Sequence, residues 1–236
     1  MEQQFNENNV TNLRINASTP DSLNVDINDK PPYYCGNPFC LHNKCKDCIF
    51  EYSCVTSHLR AIKQGYEELT NDDEHFIVCE DDTCMPFKVD FKLLIENLPK
   101  DFEIFQMMAC DKNASEMLYN NHYKNKEYYV KYDRKKEFWS TGMYLITKQG
   151  AKKLIDMFYD TDTNKFDLGR VNVIKQADIL LYTCCTTYTT TMPLCIPNLK
   201  FISEIHPYHE GVHKQSTIKM CEIIKEGLID YPYLLV

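Results

Sequence analysis

The chain has 236 residues, 44% of them hydrophobic and 25% charged, with ten prolines, seven glycines and a formal net charge of −8. That length buries one substantial core, or a core with a small appendage, and the composition excludes disordered and fibrous classes in favour of a packed α/β or α+β protein. The acidic balance argues against a phosphate-backbone binder, so no nucleic-acid partner is expected. No stretch approaches the roughly twenty apolar residues of a membrane span.

The N-terminal MEQQFNENNV lacks the basic and apolar regions of a signal peptide, so the expected location is cytoplasmic rather than a secretory lumen. Residues 1–9 are expected to be disordered, and 10–236 to form a single domain. Val10 to Ala17 alternates in the manner of a strand. Residues 31–48 hold Cys35-x4-Cys40-x-His42-x2-Cys45-x2-Cys48 among prolines and turn residues, and read as a loop insertion. Cys35, Cys40, Cys45 and Cys48, or three of them with His42, could hold a structural zinc; two disulfides and free thiols are the alternatives.

From Ser53, Leu59, Ile62, Tyr66 and Leu69 recur at helical spacing. Phe76–Cys79 then reads as a buried strand, bounded by an acidic turn on one side and by Glu80-Asp81-Asp82 on the other. Phe87–Leu98 has helical spacing and stops at Pro99, and Phe102–Met108 looks like another strand.

Residues 111–137 read as a long tyrosine-rich loop. Within it the run Lys124 to Lys136 is either a local basic patch or a solvated face. Met143–Ile146 is the next strand, and Thr147 caps a helix through Ala151, Leu154, Ile155 and Phe158. A helix over roughly Val173–Cys184, a strand over Thr186–Thr191 and a region rich in proline and histidine complete the chain. Cys79, Cys110 and Cys221 sit in apolar patterns and read as core.

The acidic triplet carries the chemistry. Along an extended backbone Glu80 and Asp82 would point one way and Asp81 the other. Their mutual repulsion calls for a cation. A hard divalent ion, Mn²⁺ or Mg²⁺, needs few protein carboxylates when a substrate diphosphate supplies the remaining oxygens. In open α/β sheets, ligands bind beyond the carboxyl ends of the strands, where this triplet falls. A solvated acid cluster at a strand end is the plainer reading.

Four ordered blocks set the triplet in context: Glu51 to Leu59 (EYSCVTSHL), the triplet itself, Thr141 to Ile146 (TGMYLI) and Gln149 to Leu154 (QGAKKL). Together they resemble glycosyltransferase family 25, which includes bacterial lipooligosaccharide galactosyltransferases, collagen hydroxylysine galactosyltransferases and relatives from large DNA viruses. For a viral member the location would be host cytoplasm or virion.

The resemblance implies a GT-A-like, Rossmann-type α/β fold. It also implies transfer of galactose, glucose or an N-acetylhexosamine from a UDP-sugar to a glycan or protein hydroxyl, with Mn²⁺ and inversion at the anomeric carbon. By position Glu80 and Asp82 match the family's acidic motif, with Asp82 the direct metal ligand. Ser57, His58, Asp81, Thr141 and Gly142 fall on the donor side, Gly142 either admitting substrate to the backbone or making a tight turn. Asp178 matches a late aspartate on the acceptor side and is assigned as the base that takes the acceptor proton. His213, beside Lys214 to Ile218, is a further metal-ligand candidate, ahead of His206 and His209.

The usual opening strand of the family has no counterpart, and Arg14 to Ala17 matches its next block. That departure leaves a catalytically inactive, transferase-like binding or scaffold protein as the alternative. A homodimer is compatible with either reading. A two-metal phosphoesterase would need a second acidic or histidine pair, which the sequence does not supply.

Overall fold

The computed structural model describes residues 11–19, 21–23, 46–70, 74–136, 138–172, 174, 176–200 and 210–234, together with Phe5. The N-terminal disorder, Cys35, Cys40, His42, Cys45, His206 and His209 lie outside the described residues. Cys48 falls at the start of a helix, with no more of it described, so the zinc expectation also lies outside them.

The elements in chain order are α1 (Lys46–Glu68), β1 (His75–Cys79), β2 (Thr83–Cys84), α2 (Phe91–Asn97), β3 (Ile104–Gln106), α3 (Lys112–Asn121) and β4 (Tyr129–Lys131). They continue with β5 (Met143–Thr147), α4 (Lys148–Phe158), β6 (Tyr159–Asp160), β7 (Lys165–Phe166), α5 (Ala177–Cys184), β8 (Thr187–Thr190), β9 (Ile196–Pro197) and α6 (Glu210–Gly227). A five-stranded sheet has the order β1-β5-β3-β8-β4. Strands β3 and β8 run parallel, Ile104 opposite Thr187, whereas β4 and β8 run antiparallel, Val130 opposite Thr189. The fold is therefore α/β, with a mixed sheet flanked by helices, in agreement with the Rossmann-type class expected from the sequence.

The chain divides into two compact units. The first holds Cys79–Leu145 and Thr186–Val236 with residues 1–13, and the second holds Arg14–Val78 and Ile146–Cys185.

In the first unit α3 packs on α6. Residues 111–137 are not the loop that their polarity suggests. Asp111 caps α3 by accepting from Ala114 N at 2.7 Å, and Ala114, Ser115, Leu118 and Tyr119 form a buried helical face. The tyrosines are structural: Tyr119 stacks on Tyr123 at 5.3 Å, and Tyr123 Oη donates to Gly227 O. Two of the six basic residues of the run Lys124 to Lys136 face acids, Lys124 pairing with Glu226 and Lys126 with Asp230.

Helix α6 was not expected, because its buried face is chemically mixed. Ser216, Thr217, Met220, Ile223, Ile224 and Gly227 recur at helical spacing, yet half of them are hydroxyl residues or glycine. Helix α2 is shorter than its apolar spacing suggests: Asp90 caps it by accepting from Leu93 N, and Val89 instead bridges to Leu234.

In the second unit α1 packs on α4 and α5. It begins at Lys46, earlier than its clear periodicity, and buries Val55, Leu59 and Ile62. Residues 11–19, of which 14–19 belong to this unit, form no strand. Most of them are exposed, and their attachment to α1 runs through Ser18, whose backbone N donates to Ser57 Oγ (2.8 Å) and whose hydroxyl accepts from Arg60 Nη1 (3.0 Å).

Thr147 caps α4 as expected, its Oγ1 accepting from Gly150 N at 3.0 Å. Replacing Thr147 by Ala is expected to cost about 1 kcal/mol, and Thr147→Ser to retain most of it, as read by urea denaturation.

Candidate functional site

The carboxylates lie in the first unit, in the turn between β1 and β2. Glu80 N donates to Gly142 O at 2.8 Å, and Thr83 N closes the turn on Glu80 O at 3.4 Å. Asp81 and Asp82 therefore form a turn and do not continue the strand, so the alternation expected of an extended triplet does not apply. The sharp reversal follows from the short pairing of β2 with β9, Thr83 opposite Pro197, which begins one residue after Asp82. Asp82 O also accepts from Asn198 N at 2.5 Å.

Within this turn Asp81 is exposed, whereas Glu80 and Asp82 are half-buried. Burial, then the charges of Glu80 and Asp81, push the Asp82 carboxyl up to about 6. Glu80 is held from across the site: Thr141 Oγ1 donates to its Oε1 at 2.7 Å. Removing that donor in Thr141→Val is expected to cost about 1.5–3 kcal/mol, the range for a hydrogen bond to a charged group. Thr141→Ser should keep it, and urea midpoints of the two variants check the pair.

Gly142 serves close internal packing. A Cβ there would run into Met108 Cε and stand 3.1 Å from Thr83 Oγ1, whose hydroxyl donates to Gly142 O. The missing side chain thus lets β5 start against the turn.

His213, in the first turn of α6, places Nδ1 at 3.6 Å from Cys110 Sγ. Burial pushes the Cys110 thiol up to about 12, with Glu80 and Asp82 adding to the shift, so the histidine contacts a residue within electrostatic reach of the carboxylates. Cys79 and Cys221 are half-buried thiols rather than fully enclosed ones, whereas Cys195 is buried.

The remaining expected site residues lie in the second unit. Ser57 has a structural employment: its Oγ donates to Ser53 O (2.7 Å) and accepts from Ser18 N (2.8 Å). His58 is buried on α1. Asp178 stands in the first turn of α5, half-buried, its Oδ1 accepting from Ile179 N at 2.8 Å. Among the described residues no group of three or more His, Cys, Asp or Glu side chains could hold a metal ion by itself.

Sequence reasoning missed the supports of this site. Gln106, fully buried in β3, donates through Nε2 to Phe138 O (2.9 Å) and Ser140 O (3.1 Å), and its Oε1 accepts from Thr189 Oγ1 (2.8 Å). The available signal was a lone amide inside an apolar strand. Asn198, which holds the Asp82 carbonyl, gave none.

The mixed sheet and the acidic turn after its edge strand define an α/β protein with an electronegative site at a strand's carboxyl end. The sequence profile of glycosyltransferase family 25 (LPS biosynthesis protein) matches residues 1–168, and the chain belongs to that family. The match includes Ser57, His58, the triplet, Thr141 and Gly142, and it ends before Asp178 and His213. No curated protein and no solved structure is a significant match. No helix among the described residues is long and apolar enough to cross a membrane.

Proposed function

We propose that the chain transfers a hexosyl group from a UDP-sugar to a hydroxyl of a glycan or protein acceptor, with inversion and with a divalent cation at the acidic turn. The observation that carries this reading is Asp82, whose half-buried carboxyl is pushed up to about 6 beside two further acids. Such an arrangement opposes its own ionisation, and a cation offsets the opposition.

Glu80 and Asp82 are the proposed ligands and offer carboxylate oxygens, which suit a hard ion. His213 is a further ligand candidate from the sequence, and in the structure it contacts Cys110. A bound Mn²⁺ or Mg²⁺ would supply charge neutralisation of the departing diphosphate. Glu80 and Asp82 would hold it, and Thr141 would fix the Glu80 carboxylate.

The acceptor hydroxyl loses its proton to a carboxylate base while its oxygen forms the new bond at the anomeric carbon and the diphosphate leaves. Asp178 is the proposed base by resemblance. A GT-A-like fold and the donor-side roles of Ser57, His58 and Asp81 rest on the same ground.

Two carboxylates leave most of a hard ion's oxygen shell to the diphosphate of the donor, so the cation and the donor should bind together. The test is thermal unfolding with Mn²⁺ alone, with UDP-galactose, UDP-glucose or UDP-N-acetylglucosamine alone, and with each pair. One pair should stabilise by about 2–3 kcal/mol near a hundredfold excess over its Kd, while Mn²⁺ alone does little. No response to any pair would overturn the proposal.

A further inference from the structure

Trp139 is the single tryptophan of the chain, and 43% of it is exposed although Phe138 beside it is 1% exposed and Thr141 two residues on is 7% exposed. The backbone that carries this exposed indole is held on both sides.

Gln106 Nε2 grips the carbonyls of Phe138 and Ser140 on either side, and Trp139 O itself accepts from Cys110 N at 2.8 Å. Ser140 is held at φ 126°, a conformation that L side chains rarely adopt, and its Oγ accepts from Gly142 N at 3.0 Å. Backbone strain of this kind persists only where the surroundings over-determine it. The same bracket continues to Thr141, whose hydroxyl is bonded to Glu80. One rigid segment therefore presents an indole outward and, two residues later, a ligand to a carboxylate of the proposed catalytic turn.

We propose that Trp139 is the stacking platform for a neutral hexose ring of the acceptor, which makes the acceptor a glycan rather than a polypeptide hydroxyl. The inference rests on the transferase reading. A sugar ring has an apolar C–H face that packs on an aromatic surface and a hydroxyl rim that stays hydrated or hydrogen-bonded, which suits an indole with one side open. The acids of the turn disfavour an anionic ring, so the stacked sugar is uncharged.

Having one tryptophan makes the test direct. The full chain is titrated with galactose, glucose, N-acetylglucosamine and lactose while indole fluorescence is followed with excitation where tyrosine does not absorb. At least one sugar should give a saturable change with a Kd in the millimolar range, about the affinity of a few weak contacts. Because the reporter is lost on substitution, the variants are compared by saturation-transfer NMR of the same sugar. Trp139→Ala should weaken binding at least tenfold, and Trp139→Phe should stay within about threefold of the parent. Circular dichroism confirms that each variant is folded.

No fluorescence response to any of the four sugars would overturn the proposal, as would a Trp139→Ala variant that binds as well as the parent. A response to a hydroxyl-bearing peptide alone would do the same and assign the platform to a polypeptide acceptor. The thermal test with UDP-sugar and Mn²⁺ is independent. Sugar binding at Trp139 without donor stabilisation would leave a saccharide site and remove the transferase reading; donor stabilisation without sugar binding would do the reverse.

Discussion

Replacing Asp82 by Asn is expected to make the protein more stable and inactive at once. In the fold the Asp82 carboxyl holds its proton up to about pH 6, against an ordinary value of 3.8. The native state therefore binds more protons than the unfolded chain between these values. The stability associated with Asp82 is greatest below about 3.8 and declines as pH rises through 6. At neutral pH the ionised carboxylate is a net cost, about 1–2 kcal/mol after discounting for its contact with solvent. Asparagine has nearly the same shape without the charge, and the bond from Asn198 N reaches the backbone carbonyl, so the turn itself survives. Urea denaturation at pH 7.5 should show Asp82→Asn about 1–2 kcal/mol more stable than the parent, and the advantage should vanish by about pH 4. The same variant should lose the stabilisation by Mn²⁺ with a UDP-sugar and at least about a hundredfold in turnover, as removal of a group acting on developing charge does. A variant that is less stable at pH 7.5, or one that still responds to the metal–donor pair, would show that Asp82 is an ordinary turn residue.

The strand and the acids at its end were legible because two strong local signals coincide there. An apolar run of strand length, Phe76 to Cys79, lies between an acidic turn and three charges. Thr147 was legible for a related reason: a capping hydroxyl precedes the buried set Ala151, Leu154 and Phe158 at helical spacing. Helix α3 was not, since its sequence is mostly polar and its stability comes from packing on α6 rather than from periodicity. The same holds for α6, whose Ser216 and Thr217 carry no apolar signal and are buried. Strand alternation misdirected the reading of the triplet because the pairing of β2 with β9, residues distant in sequence, turns the chain immediately after β1. Gln106 illustrates the general limit. Its position in an apolar run shows that it is buried, but its partners Phe138, Ser140 and Thr189 are set by tertiary structure alone.

Gln106→Leu should be among the most destabilising single substitutions in the chain, because the buried amide serves three partners at once. Its two N–H donors go to Phe138 O and Ser140 O and its carbonyl to the Thr189 hydroxyl. Leucine fills a similar volume without any of these groups, which leaves two backbone carbonyls and a hydroxyl without the partner they had. Each buried polar group so deprived costs about 1–3 kcal/mol. With partial relaxation the expected loss is about 3–5 kcal/mol, a large share of the roughly 5–15 kcal/mol of a typical domain. The Thr189→Val variant removes one of the three bonds and frees only the Gln106 carbonyl, so it should cost about 1–2 kcal/mol and remain measurable if the first variant fails to fold. The consequence reaches the site through the bracket of residues 138–142. With the grip on Phe138 and Ser140 gone, the strained Ser140 can relax, and Thr141 is no longer positioned on Glu80. In hydrogen exchange, the Gly142 amide, bonded to Ser140 Oγ, should lose protection in Gln106→Leu before the β3–β8 pairing does. Equal loss of protection across both would mean that Gln106 supports the sheet as a whole, whereas selective loss at residues 138–142 identifies it as the anchor that holds the acidic turn's partner strand in place.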